Sequence, residues 1–246
     1  MSTFKLTSLA CLICASLTAH AKAPLEGEVE LGVITTSGNT ETTSLKGKVG
    51  ITHDLENWKN QYQLDALYKK DEVEVNGTKV SQTTAQKVFV SGQGDYKLNA
   101  ENAALFVYAS YEDDKFSGFE YQSTVAVGYS DQLFSNEHSF LNYNIGPGYT
   151  FSKLEEGDKE ESAVLRLAAT YQYKLSDNAR FSQKLSTEAA LESGQNTRSK
   201  SETAVSANLM GNLSMKAAYT ITHNSDVKVG KEKTDTTTSI TVVYLF

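Results

Sequence analysis

Residues 222–226, THNSD, contain a pair with the types and spacing of hydrolytic chemistry: His223 and Ser225 lie two apart, hence on one face of any extended strand. A serine hydroxyl becomes a nucleophile only when a base reaches its proton and a third group orients that base. No orienting residue is evident beside the pair, and Ser225 falls at the edge of a charged connection. The competing reading of His223 is a side chain at a strand rim. Other chemistry-bearing residues are charges of both signs at alternate positions: Glu28 and Glu30, Lys46 and Lys48, Asp65 and Lys69, Lys87, Arg166 and Lys174, Arg180 and Lys184, and Glu188. A ring of one sign would select ions, whereas mixed signs fit either a narrow polar passage or an interlocked, closed interior. His53 and His138 are isolated from each other, so no metal centre is expected, and no nucleotide fingerprint points to a cofactor. The acidic run LEEGDKEE, residues 154–161, reads either as a solvated loop or as an attractor of divalent cations.

These charges need elements that aim them to one side, and the chain supplies period-two alternation from end to end. Residues 26–36 set Val29, Leu31 and Val33 against Glu28 and Glu30, and residues 42–53 set Leu45, Val49 and Ile51 against Lys46 and Lys48. Further strands are expected over 58–69, 85–96, 103–112, 121–131, 140–151, 163–174, 181–191, 203–212, 216–223 and 236–246, twelve in all. If the turn over 37–39 has an odd residue count, Glu30 falls opposite Lys46 or Lys48, and cross-strand pairing satisfies both charges.

Connections are of two alternating kinds. Short ones carry a recurring leucine beside polar turn formers, at Leu55, Leu98, Leu133, Leu175 and Leu213; the others, such as KKDEVEVNGTKVSQ, EDDKFSGFE and ESGQNTRSKSE, are mostly longer and charged. Strict alternation of short turns and long loops belongs to outer-membrane barrels. In hydrocarbon every backbone donor must be satisfied within the protein, so strands must close into a ring with an apolar outer face. Leu105, Val107, Ala109 and Tyr111 make one such face, and Leu165, Leu167, Ala169, Tyr171 and Tyr173 another. Aromatics gather at strand ends as two girdles: Trp58, Tyr96, Tyr129, Phe134, Tyr173, Phe181 and Phe246 beside short turns, Tyr68, Tyr111, Tyr121, Tyr149 and Phe151 beside long loops. Pro147 should mark a bulge. The outer face is weakest around Thr187, Ala189, Thr203, Ala207 and Gly211, which implies either a slip of register or packing against a partner. The fold class expected is therefore all-β: a transmembrane antiparallel up-and-down β-barrel of about twelve strands.

The front of the chain, MSTFKLTSLACLICASLTAHA, has one cation, an apolar run and a small-x-small site, which predicts a signal peptide over residues 1–21 and a barrel domain over 22–246. Both cysteines, Cys11 and Cys14, lie in the leader, so the mature chain is expected to hold no thiol. Without residues 1–21 the chain carries 22 basic against 30 acidic side chains, a balance that excludes a typical nucleic-acid binder. The negative mean hydropathy does not argue against a membrane, because barrel strands are apolar on alternate residues only. The chain ends SITVVYLF, with Ile240, Val242, Tyr244 and Phe246 on one face. Such a terminal strand is similar to the signal by which the outer-membrane assembly machinery recognises its clients.

The stretch LEGEVELGVITTSGNTETTSLKGKVG, residues 25–50, resembles the YdiY-like family of salt-induced outer-membrane proteins, a family of unknown function. Gly32, the turn Ser37-Gly38-Asn39-Thr40 and the Thr/Ser-rich return strand carry the likeness, which extends through IGPGY, residues 145–149, to the terminal aromatic. The resemblance implies a barrel in the outer membrane of a Gram-negative bacterium, among lipids and lipopolysaccharide, and supplies no catalytic residue. Three roles stay open: a narrow passive channel linked to salt or osmotic stress, a structural envelope barrel with a closed lumen, and an outer-membrane lipid hydrolase using His223 and Ser225.

Overall fold

The computed structural model describes residues 25–36, 42–75, 78–98, 102–114, 119–154, 157, 159–227 and 232–246. The expected leader, residues 1–21, and the turn over 37–39 lie outside the described residues. Twelve strands follow in order: β1 (Leu25–Thr36), β2 (Thr42–Asp54), β3 (Trp58–Val75), β4 (Thr78–Lys97), β5 (Ala104–Asp114) and β6 (Phe119–Ser135). The second half comprises β7 (Ser139–Leu154), β8 (Lys159–Ser176), β9 (Ala179–Ala190), β10 (Arg198–Met210), β11 (Leu213–Asn224) and β12 (Thr234–Leu245). Each strand pairs antiparallel with the next, and β1 pairs with β12, so the sheet closes into the expected transmembrane barrel.

Alternation along each strand decides the two faces. In β5, Ala104, Phe106 and Tyr108 are buried inside while Leu105, Val107 and Tyr111 are exposed outside. Leu31, Leu45 and Ile240 are at least 59 % exposed, part of an outer apolar belt of the kind a membrane-spanning barrel presents. Ring contacts stand at both ends of this belt: Trp58 with Tyr96 (5.3 Å) and Tyr171 with both Phe134 and Phe181 (6.3 Å each) toward the short turns, Tyr111 with Tyr121 (5.9 Å) and Tyr149 with Phe151 (5.0 Å) toward the long connections.

The short-turn end is built with bulges. The pairing skips one residue between Gln132 and Phe134, between Lys174 and Ser176, and between Asn208 and Met210, so Leu133, Leu175 and Leu209 are the inserted residues. All three leucines are exposed on the barrel surface. A bulge bends its strand and increases local twist, which suits a barrel rim. Gly211, with φ +53°, then serves the tight turn into β11.

Three expectations need correction. The expected long connection KKDEVEVNGTKVSQ is mostly strand: β3 and β4 stay paired from Lys70↔Thr83 to Val75↔Thr78. Their pairing outruns that of β2, which stops at Ser44↔Lys69, and of β5, which stops at Lys87↔Asp114, leaving a two-stranded ribbon beyond the ring. β10 begins at Arg198, five residues before the expected start at 203. Pro147 makes no bulge. The β6–β7 register is the same at Ala126↔Gly148 and Tyr129↔Ile145, on either side of Pro147, and Pro147 itself pairs with Leu165 of β8. Where proline removes the ladder donor, the backbones of Gly128 and Gly146 approach so closely that a Cβ at Gly146 would collide with the Val127 carbonyl. At the weak outer face β9 and β10 pair without interruption from Glu188↔Arg198 to Ala179↔Ala207, and the register shifts only beyond it, where Leu209 is inserted before Gly211 and the exposed Met210 pairs with Leu213.

Candidate functional site: the charged lumen

Strand parity sends the charged residues inward, where they form two networks. Glu30 of β1 is 1 % exposed and lies directly opposite Lys48 of β2. Its carboxylate accepts from Lys48 Nζ (3.4 Å), Lys216 Nζ (2.9 Å) and the Thr241 hydroxyl (3.4 Å). Lys48 also donates to Glu28 (2.8 Å), and Lys216 to Glu202 (3.0 Å). Lys46 occupies the next inward position, opposite Gly32, and Lys184 stands opposite Glu202 without an ion pair among the described residues. Burying so much charge is tolerable only because each carboxylate here has at least one ammonium partner.

The second network crosses the barrel. Arg198 of β10 pairs with Glu112 of β5 at 2.5 Å, five strands away around the ring. Glu112 also accepts from Lys87 (3.0 Å), which reaches Asp114 (3.1 Å). Lys200 Nζ lies 5.6 Å from the centre of the Phe89 ring, another contact from β10 to the far wall. Arg166 of β8 stacks its guanidinium over Tyr108 at 3.7 Å and donates to Asn144. Tyr108, Phe106 and Ala126 form a buried cluster inside the barrel. Glu188 sits between Arg166 and Arg198 in register.

On either side of this filled mid-section lies a cavity. The one at the short-turn end measures ≈ 290 Å³ and includes His138, Gln172, Lys174, Arg180, Asn208 and Ser214 in its lining. The other, at the long-connection end, measures ≈ 30 Å³ and is lined by Thr124, Thr150, Ser162, Glu188, Asn196 and Arg198 among others. Arg180 therefore belongs to a vestibule, away from the two networks. Asp65 Oδ1, Glu112 Oε2 and Arg166 Nε are buried without a hydrogen-bond partner among the described residues.

Of the residues singled out in the sequence, the structure brings Glu28, Glu30 and Lys48 together, while Arg166 and Glu188 are register partners on β8 and β9, apart from that network. The sequence reading missed Glu112, Arg198, Lys200, Glu202 and Lys216. Arg198, Lys200 and Glu202 fell in a segment read as a loop, and Glu112 and Lys216 at strand ends, although the alternation of β5 and β11 already aims both inward. His223 and Ser225 are not brought into contact. His223 Nδ1 lies 2.8 Å from the Thr234 hydroxyl, and the Ser225 hydroxyl accepts from the Thr197 N–H at 2.8 Å. The four terminal residues Ile240, Val242, Tyr244 and Phe246 all face outward and are exposed.

A closed antiparallel barrel with an apolar outer belt and a charged interior defines the outer-membrane, porin-like class of β-barrel. Within that class, the chain belongs to the family described as a protein of unknown function, DUF481, whose model matches residues 29–246. It is 27% identical over 227 residues to the uncharacterized protein YdiY of Escherichia coli (strain K12), covering 92% of this chain and 85% of that protein. Among solved structures it is similar to the NanC porin, with a TM-score of 0.56 and 11% identity over 89% of this chain and 99% of that one. A second similar structure is the COG4313 outer membrane channel from Pseudomonas putida F1, with a TM-score of 0.53 and 9% identity over 93% and 97% of the two chains. At these identities the structural likeness is one of fold.

Proposed function

We propose that this chain is a narrow passive channel of the Gram-negative outer membrane, held nearly closed by the ion pair of Arg198 and Glu112. In this reading residues 1–21 are removed on export, the short turns face the periplasm, and the outer belt meets lipid and lipopolysaccharide. Ile240, Val242, Tyr244 and Phe246 serve as the segment recognised by the assembly machinery. The observation that carries the reading is the 2.5 Å contact between opposite walls, with a polar vestibule of ≈ 290 Å³ toward the short turns and a cavity of ≈ 30 Å³ beside Arg198 toward the long connections. Buried polar atoms without a protein partner favour a hydrated mid-section over a dry plug, because such atoms are costly unless water reaches them. The resemblance to salt-induced proteins adds osmotic stress as the setting.

A closed structural barrel is the second reading, favoured by the Phe106, Tyr108 and Ala126 cluster that fills one side of the lumen. Single-channel recording in a planar bilayer separates the two. Small or infrequent openings in the unaltered protein and a clear gain for Glu112→Gln are expected of a channel. Silence from both proteins across applied voltages would leave the closed barrel. Neither reading assigns chemistry to His223 and Ser225.

A further inference from the structure

On the outer face of β8, Leu165, Leu167, Ala169 and Tyr171 are apolar, as are Met215, Ala217, Tyr219 and Ile221 on β11. Between these two strands the outward row is mixed: Gln183 and Thr187 of β9 and Ser199, Ser201 and Thr203 of β10 are polar, with Leu185 among them and Val205 beside them. Register settles that they face outward: Gln183 pairs with Tyr171 on one side and Thr203 on the other, and Thr203 pairs with Tyr219. The seam lies along β9 between Phe181 and Leu191, within the stretch that hydrocarbon would surround.

Its groups first satisfy one another. Gln183 Nε2 donates to Ser201 Oγ (2.9 Å), the Thr203 hydroxyl donates to Gln183 Oε1 (2.6 Å), and the hydroxyls of Thr187 and Ser199 bond to each other. A primary amide has two donors and two acceptor sites, so one N–H and one lone pair of Gln183 remain after these bonds. Acyl chains offer neither a donor nor an acceptor. Polar side chains that face out of a membrane domain accordingly mark contact with protein.

We propose that β9 and β10 form the contact by which two copies of this barrel associate, with Gln183 as its principal hydrogen-bonding group. The seam carries no formal charge, and every polar group in it, on either side of the exposed Leu185, is both donor and acceptor, which is the pattern a surface needs to meet its own copy. A two-fold axis along the membrane normal brings each Gln183 amide to its counterpart, where the spare N–H of each reaches the spare lone pair of the other. Ala169, Ala189 and Ala207 flank the seam and let the two walls approach closely.

Cross-linking in intact outer membranes tests this without dependence on any channel activity. Ser201→Cys, treated with a mild oxidant, should give a covalent species of twice the chain mass, whereas Val107→Cys, five strands away on β5, should not. Ser201→Cys giving no more dimer than Val107→Cys, or an adduct with a protein of another mass, would overturn the assignment. In mild detergent the paired change Gln183→Leu and Thr203→Val should weaken dimerisation about tenfold by light scattering. Its shift in gel mobility between unheated and boiled samples should persist, showing an intact barrel. A dimer of unchanged affinity in that folded variant would also overturn the proposal.

Discussion

The ring of Phe246 covers Gly27, at the point where the last strand meets the first. Their backbones exchange two hydrogen bonds of 2.9 Å, Gly27 N–H to the Phe246 carbonyl and Phe246 N–H to the Gly27 carbonyl. A Cβ on residue 27 would fall within the aromatic ring, so this position admits the ring only as glycine. The terminal aromatic thus closes the barrel as well as presenting an apolar strand end.

Gly27→Val should displace that ring and slow closure, and deletion of Phe246 should lower insertion further because it removes both bonds. The measurement is the fraction of protein in the outer membrane that changes gel mobility on boiling. A severalfold loss is expected for the deletion and a smaller one for Gly27→Val. Full insertion of both variants would show that the seam forms without this contact.

Gly128→Ala and Gly146→Ala should each destabilise the barrel by about 1–3 kcal/mol, the typical cost of overpacking. In both cases a methyl group would collide with backbone atoms of the facing strand, which cannot swing aside as a side chain can. Gly47→Ala is the control, because its Cβ would meet only Leu31 Cδ2 at 3.8 Å. Urea titration in detergent should separate the first two from the third.

Glu112→Ala should cost more stability than Glu30→Ala. Loss of Glu30 leaves Lys48 with Glu28 and Lys216 with Glu202, so neither ammonium is stranded. Loss of Glu112 leaves Arg198 without its ion-pair partner and approaches the ~3–5 kcal/mol of orphaning a buried charge. Equal unfolding midpoints for the two variants would contradict this ranking.

Arg198→Gln should raise conductance, whereas Lys184→Gln should leave conductance similar and shift only ion preference. Arg198 spans the lumen to Glu112, while Lys184 stays beside the wall formed by β9 and β10. Reversal potentials in asymmetric salt, recorded with the conductance, test both statements.

Much of the architecture is legible in the alternation alone, because a residue in a pleated strand has only two sides to face. Each of the twelve expected strands overlaps one of the observed strands, although β3, β4 and β10 run beyond the expected bounds, and the expected opposition of Glu30 with Lys46 or Lys48 resolves to Lys48. The ribbon of β3 and β4 was missed because charge was read as loop, although Asn76-Gly77 between alternating valines is a strong hairpin signal. The same reading of charge hid Arg198, Lys200 and Glu202.

By itself, then, the order of residues determined which side chains point inward, which point outward and how many strands close the ring, since period two is a local property of the backbone. Only the tertiary structure decided that Arg198 meets Glu112, 86 residues away, and that Phe246 covers Gly27. Those meetings depend on how far around a closed wall two strands lie and how their registers add up between them. No single strand contains that information.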